Sequence, residues 1–515
     1  MERFALISTS NKANIVDFAR ELRKKYGYSI ISTGGTAELL RGEIGEVIDV
    51  SEYTGFPELM GGRIKTLHPK VHGGILCRRG VATDLEEARQ YDISLIDLVV
   101  VNLYPFQETL GKPSVTENEI IEEIDIGGVT LLRAAAKNWE HVTVVCDPSD
   151  YSLVTSGLED QNNIKDLRRT LAAKAFDHTA RYDCSISGYF NRGRPAVLSS
   201  DRDDLPEILS LSYSKEKQLR YGENPHQNAS LYGGFLGGCD QIQGKDLSYN
   251  NILDASAAIN LVDEFNIPTT VILKHNNPCG VASAEDLGRA WEEAFATDMD
   301  APFGGVVAVN REVDGEAAKL MSRVWLEIII APGFSYEAQQ LFSKKKNLRL
   351  LVREKETIVQ GGREIRTVEG GILVQDRDQM KDDPSTFKVV TQKEPNEVDW
   401  KALLFAWKVA KHVKSNAIVF ASAERTLGIG AGQMSRVDSA RFAVTKAEAA
   451  GLSLKGSAMA SDGLIPFRDG LMTGANAGAA AVIQPGGSIR DEEVIDAANS
   501  EGMTMVFTGC RHFRH

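Results

Sequence analysis

The chain reads as an α/β protein of more than one domain, with a parallel-sheet domain first and a larger mixed α/β part after it. Three observations predict this. Its 515 residues exceed what one core of ordinary size holds. Short β-branched runs alternate with helix-length amphipathic stretches through the first part, the pattern of a parallel sheet. A polar, proline-flanked stretch, Arg194-Pro195 and Ser199 to Pro206, then interrupts the alternation. The boundary is placed there, giving domains 1–198 and 199–515.

Taken in order, Phe4 to Ser8 reads as a strand. Asn11 is expected to cap a helix that carries Ile15, Phe18, Ala19 and Leu22 on one face. Tyr28 to Ile31 is a second strand, and Ser32-Thr33-Gly34-Gly35-Thr36 leads from it into another helix. Glu46 to Val50 and Leu98 to Leu103 are strand-like. A helix over Leu131 to Lys137 and a strand over His141 to Cys146 follow. Helical patterning then runs from Ile164 to Phe190. Ligands of such a sheet sit at the carboxyl ends of its strands. The second part shows no fixed-period repeat, and Lys344-Lys345-Lys346 reads as a solvated face.

Composition narrows the class. Hydrophobic residues make up 43% and charged residues 25%, the balance of a soluble globular protein. The net charge of −13 argues against a duplex nucleic-acid partner, which needs a basic surface. Local Arg and Lys clusters can still hold a small anionic substrate. The six cysteines form no CxxC pair, so neither zinc nor a disulfide framework is signalled. Without a signal peptide or a membrane-length apolar run, the expected compartment is the cytoplasm, with no membrane partner.

The chemistry-bearing segments are dense. Two glycines and three hydroxyls in Ser32 to Thr36 make either a phosphate cradle at a helix start or an ordinary tight turn. Gly61 to Gly74 places Arg63, Lys65, Thr66, His68 and His72 in a glycine-punctuated loop suited to an anion. His68 and His72 are spaced for a metal pair, but Pro69 between them disfavours a helix, and no metal is expected. Asn102 and Tyr104 end a buried strand and are expected to face a ligand. Asp125 precedes Ile126-Gly127-Gly128, either as a helix cap or as a carboxylate beside open amides.

In the second part, Thr269 to Leu273 is a buried strand that ends on Lys274-His275, after which Pro278-Cys279-Gly280 breaks the chain. That pair sets a fixed cation beside a group that titrates near neutral pH, suiting proton removal next to a stabilised anion. The alternative is a snorkelling lysine and a surface histidine. Arg220-Tyr221 lie in a Gly- and Pro-rich segment, and Ala301 to Val306, with Gly304, turns into a strand. Lys414-Ser415-Asn416 opens another strand, and Gly428 to Arg436 reads as a glycine loop closed by an arginine. The basic Arg511 to His515 segment follows an apolar run, Met503 to Phe507, which points to a docked end.

These segments, read in order, closely resemble the bifunctional AICAR transformylase/IMP cyclohydrolase family of purine biosynthesis. The resemblance covers essentially the whole chain: GGRIKTLHPKVHGGIL, NLYPF, DIGGVTLLRAAAKN, LRYGENPHQ, KHNNPCG, KSNAIV, GIGAGQMSR and RHFRH. A departure is Ser461 to Phe467, where the family has two more aromatics after Ser-Asp-Ala. The resemblance implies a methylglyoxal-synthase-like parallel-sheet domain, followed by two cytidine-deaminase-like α/β lobes. It implies formyl transfer from 10-formyltetrahydrofolate to AICAR and then ring closure to IMP, small-molecule partners only, and a homodimer. For transfer it implies His275 as base, Lys274 at the oxyanion and Asn416 orienting the formyl group. Arg220, Tyr221, Gly304, Glu327, Arg436, Phe467 and Arg511 would bind substrate. For closure it implies Lys65, Tyr104, Asp125 and Lys137 in the chemistry. Ser10, Lys12, Ser32, Thr33, Gly34, Gly35, Thr36, Arg63, Thr66, Asn102, Ile126, Gly127 and Gly128 would hold the nucleotide. Two other classes stay open on the residues themselves: a zinc-free hydrolase or deaminase, and a non-catalytic phosphate sensor.

Overall fold

The computed structural model describes residues 2–160, 162–191, 205–353 and 362–515. Two compact units emerge, Met1–Ser212 and Tyr213–His515. The boundary expected at 198/199 lies outside the described residues.

Unit 1 is a five-stranded parallel sheet: β1 (Arg3–Thr9), β2 (Tyr28–Ser32), β3 (Ile48–Asp49), β4 (Ile96–Asn102) and β5 (Thr143–Val145), in the order β3-β2-β1-β4-β5. β1 and β4 are almost wholly buried because helices cover both faces of a parallel sheet. The helix Ile15–Tyr26 buries Ile15, Phe18, Ala19 and Leu22, the predicted face. Asn11 does not cap it. Its side chain accepts from Ala13 N at 2.9 Å and closes its own turn, so the helix starts after Asn14, at φ 57°. The expected strand Glu46 to Val50 shrinks to two residues because Asp49 caps a short helix, Val50–Thr54, with its carboxylate on Ser51 N. Pro69 does not prevent a helix either. It occupies the first turn of Pro69–Leu76, where its missing N–H costs nothing, and His68 Nδ1 caps that helix from Lys70 N.

Unit 2 begins with a ribbon of β6 (Lys215–Gln218) and β7 (Ser230–Tyr232). Its first six-stranded sheet comprises β8 (Asp240–Gln243), β9 (Thr269–Lys274), β10 (Asn277–Ser283), β11 (Val306–Val309), β12 (Ile328–Ala331) and β13 (Arg349–Val352). After a second ribbon, β14 (Arg363–Val368) and β15 (Gly371–Asp376), comes another six-stranded sheet. This one comprises β16 (Lys388–Val389), β17 (Ile418–Ala421), β18 (Thr426–Gly430), β19 (Ala458–Ser461), β20 (Ala481–Gln484) and β21 (Thr504–Phe507). The strand orders are β10-β9-β11-β12-β13-β8 and β18-β17-β19-β20-β21-β16. They are one topology used twice, with helices inserted at the same points, so a duplication exists that the sequence showed no period for. Helices Tyr249–Val262 and Glu397–Ala410 pack into one core shared by both sheets, with Phe265 and Phe405 rings 5.2 Å apart.

Two sequence readings change here. Pro278-Cys279-Gly280 does not break the chain but lies inside β10, antiparallel to β9. The turn is made one step earlier by His275 and Asn276, both left-handed at φ 51° and 61°. Gly428 and Gly430 are not a loop but part of β18. A Cβ on either would meet Ala443 O at 2.3 Å or Ser439 O at 1.9 Å, so the glycines let helix Arg436–Ala449 lie directly on the strand.

Candidate active sites

In unit 1 the carboxyl ends of β1, β2 and β4 open into a cavity of about 620 Å³. It gathers Ser10, Lys12, Thr33, Gly35, Thr36, Arg63, Lys65, Thr66, Asn102, Tyr104, Asp125, Ile126, Gly127 and Gly128. Lys12 donates to Thr36 Oγ1 at 2.5 Å and to Thr9 O. Burial, and then the neighbouring Lys65, hold the Lys12 ammonium below its usual pKa. Two cations turned on one cavity, beside the start of helix Gly34–Ile44, favour a phosphorylated ligand.

Asp125 stands at the mouth of a second helix, Gly127–Lys137. It accepts Gly128 N at 2.6 Å, so it does cap that helix. Its own N–H is held by Tyr182 Oη at 2.8 Å. Burial raises the Asp125 carboxyl pKa, against the hydrogen bonds from Gly128 and Tyr104 N–H and the charge of Lys65. The Tyr104 phenol is likewise raised, by burial first and Asp125 second. A largely buried acid with a raised pKa, beside a lysine and a phenol, can serve as a proton-handling set.

Not every expected residue joins. Ser32 is fully buried and donates to Ile7 O at 2.7 Å, which fixes β2 rather than a ligand. Asn102 lines the cavity but spends its carboxamide on the chain: Ser10 N at 2.7 Å, Asn11 N at 2.8 Å and Asn11 O at 3.2 Å. Gly34 faces an adjoining cavity of about 220 Å³, and Lys65 lines both. Lys137 sits exposed on the last turn of the helix that Asp125 caps. At 1.5 Å per residue that puts it roughly 13 Å along the axis from Gly128. Sequence reasoning missed Glu122, which pairs with Arg63 across the cavity rim, and Ser8 and Thr9 on its floor. The end of β1 was the signal available for the last two.

In unit 2, Lys274 ends β9 and donates to Phe303 O at 2.7 Å, one residue before Gly304. Gly304 is needed there: at φ 73° its Cβ would lie 2.6 Å from the Trp325 ring. His275 follows in the exposed turn. Asn277 carries the link onward, its Oδ1 accepting Lys414 N at 2.9 Å. Asn416 Nδ2 donates to Gln433 O at 2.9 Å. Ser415 donates to buried Asp462, which also holds Arg436 at 3.3 Å. Arg436 and Arg511 lie over the Phe513 ring, at 5.4 and 4.3 Å. Burial lowers the Arg436 pKa, opposed by Asp462. This docked carboxyl-terminal segment thus builds a cationic corner. Phe467 is half-exposed under Arg490 at 4.8 Å, and Arg220 lies over its neighbour Tyr221 at 5.4 Å. Glu327 is engaged by Arg349 at 2.5 Å, so its carboxylate has a structural partner. Among the described residues, no three His, Cys, Asp or Glu side chains are grouped to hold a metal ion, and no helix is long and apolar enough to cross a membrane.

A cavity in unit 1 that gathers cations with an acid and a phenol, and in unit 2 a Lys274-His275 turn and a separate cationic corner, are the equipment of an enzyme acting on small anionic substrates. Sequence comparison gives that class its identity. The family described as AICARFT/IMPCHase bienzyme matches residues 135–446, and the MGS-like domain matches residues 14–130. The bifunctional purine biosynthesis protein PurH of Chloroflexus aurantiacus is 52% identical over 514 residues, 99% of this chain and 98% of that one. The crystal structure of ForH aligns with 38% identity, covering 37% of this chain and 100% of that chain, at a TM-score of 0.33. The chain belongs to the AICARFT/IMPCHase bienzyme family, and is a bifunctional purine-biosynthesis enzyme with transformylase and cyclohydrolase activities.

Proposed function

We propose that unit 1 closes the purine ring and unit 2 transfers the formyl group, with the functional boundary at 198/199. The observation that carries the first assignment is the cavity itself, which gathers Lys65, Tyr104 and Asp125 beside a phosphate cradle.

In transfer, the 5-amino group of AICAR attacks the formyl carbon of 10-formyltetrahydrofolate. The amine is a weak nucleophile, because its lone pair is delocalised into the imidazole and carboxamide. His275 takes its proton, and Lys274 steadies the tetrahedral oxyanion. The bond from carbon to the folate nitrogen then breaks, its electron pair stays on that nitrogen, and Lys274 helps protonate it as tetrahydrofolate leaves. Asn416 orients the formyl group, and Arg436 and Arg511 hold the phosphate end of AICAR. Arg220, Tyr221, Glu327 and Phe467 complete the substrate contacts.

In closure, the carboxamide nitrogen attacks the new formyl carbon and water is lost. Both partners belong to one molecule, so holding the folded conformer supplies much of the rate. Lys65 meets the oxyanion, while Asp125 and Tyr104 move protons at the amide and the departing hydroxyl. Lys137 keeps the role that the family resemblance gives it only if ligand binding or a partner subunit brings it in. A homodimer with transfer sites shared between subunits, acting in the cytoplasm without a metal ion, completes the reading.

The test is incubation of the full chain with AICAR and 10-formyltetrahydrofolate, following IMP and tetrahydrofolate. His275→Ala should lose transfer by about a hundredfold or more while still cyclising supplied formyl-AICAR. Near-normal IMP formation from AICAR by that variant would remove His275 from the role of base.

A further inference from the structure

The turn that carries His275 is unusual for its residues. A two-residue hairpin turn with both positions left-handed favours Asn-Gly or Gly-Gly. Here a histidine and an asparagine occupy it, at φ 51° and 61°. Such a turn persists only where the surroundings hold it. Among the described residues no side chain hydrogen-bonds the exposed imidazole, so the turn, together with the charge of the nearby Asp254 carboxylate, aims the ring.

What holds the turn comes from another element. Asp254 lies on helix Tyr249–Val262, which packs against β9 and β11. Its Oδ1 accepts Asn276 N at 2.7 Å, and the N–H of His275 is also directed at this carboxylate. From the other side Asn277 Nδ2 reaches His275 O at 3.4 Å. The carboxylate therefore collects the amides of both left-handed residues. Moving it would let the turn relax and swing the imidazole off its line.

We propose that Asp254 is a positioning residue for formyl transfer, clamping the His275–Asn276 turn so that the imidazole faces the attacking amine. This rests on His275 being the base. It assigns Asp254 no contact with substrate.

The experiment measures kcat and KM for AICAR in the full-length enzyme. Asp254→Ala should lower kcat about tenfold or more with little change in KM, since displacement of a reacting group acts on the rate. Asp254→Asn keeps an oxygen acceptor for the same N–H and should recover most of that loss. Asn276→Gly takes the left-handed conformation unaided, so Asp254→Ala/Asn276→Gly should approach the rate of Asn276→Gly alone. If Asp254→Ala does not fold, Asp254→Gln carries the test: it shifts the acceptor by one methylene and should lower kcat with KM held. Wild-type kcat in the tested variant overturns the proposal, as does a loss that neither asparagine nor the glycine turn repairs. His275→Ala run alongside separates the two assignments. If it is inactive while Asp254→Ala is normal, only the clamp fails; if it is active, the base assignment fails first.

Discussion

Asn277 Oδ1 accepts the backbone N–H of Lys414 at 2.9 Å, across 137 positions of sequence. That bond fastens the hairpin bearing Lys274 and His275 to the segment Lys414-Ser415-Asn416. Each motif comes from a different copy of the duplicated sheet, so the proposed transfer site depends on how the two copies are joined. The shared core between Phe265 and Phe405 supplies the bulk of that joining, and Asn277 sets its register at the site.

Asn277→Ala should therefore cost modest stability, about 1 kcal/mol for each of its two side-chain hydrogen bonds, to Lys414 N and to His275 O. Formyl transfer should fall by much more than that implies, because Lys274 and Asn416 lose their common reference. Cyclisation of formyl-AICAR should be unchanged. Comparing the two activities with the thermal midpoint checks this, and equal losses in both activities would refute it.

Much of this was legible in the sequence, and the failures have physical causes. The alternation of strands and helices to Phe190 holds because buried parallel strands demand β-branched runs whatever their context. Starts and stops failed where a side chain had competing local bonds: Asn11 closed its own turn, and Asp49 started a helix where a strand was expected. Pro69 was misread because proline opposes helix interiors and suits helix starts. Gly428 and Gly430 read as loop residues, unlike Gly432 which does lie in one, because glycine density does not distinguish a turn from a close helix–strand approach. Clustering in space was legible only through motif order. Glu122 and Asp254 carry no local signal, since each acts on a residue far away in the chain.

Asp125 combines two roles that substitution can separate. Asp125→Asn keeps an oxygen for Gly128 N, so unit 1 should fold with nearly full stability, yet the proton-handling group is gone. Cyclisation should drop about a hundredfold. Asp125→Ala loses the cap as well and should cost roughly 1 kcal/mol more in stability. If Asp125→Asn cyclises normally, the carboxylate is a cap alone.

Gly463 sits where the family departure begins, and its neighbours explain the need for glycine. A Cβ there would meet Arg436 Nη2 at 2.2 Å and the Phe513 ring at 2.5 Å. Gly463→Ala should push the Arg436 guanidinium off Asp462 and disturb the cationic corner. The expected readout is a KM for AICAR raised several-fold, with cyclisation intact. An unchanged KM would show that Arg436 does not hold the substrate.

His512 places a pH dependence in the docked carboxyl-terminal segment. It is 1% exposed, with Nδ1 2.6 Å from Asp378 and Nε2 3.4 Å from Asp382. Burial alone would lower its pKa, but the hydrogen bonds and charges of these two carboxylates win and raise it to about 9. The unfolded value is about 6.5. Between those values the folded chain binds a proton that the unfolded chain has lost, so stability falls as pH rises. The contribution is whole below about pH 6.5 and is lost as pH climbs through about 9, at a slope of at most about 1.4 kcal/mol per pH unit. His512 N also donates to Asp462 O at 3.0 Å, so loosening this segment reaches Arg511, Phe513 and the carboxylate that holds Arg436. The unfolding transition of unit 2 should thus move down between pH 7 and 9 in the wild type, accompanied by a rising KM for AICAR. His512→Gln cannot carry the charge, so its transition should start lower and slope less over the same range. Parallel slopes for the two proteins would show that His512 is neutral in the folded chain, and the ion-paired reading of Asp378 and Asp382 would fall with it.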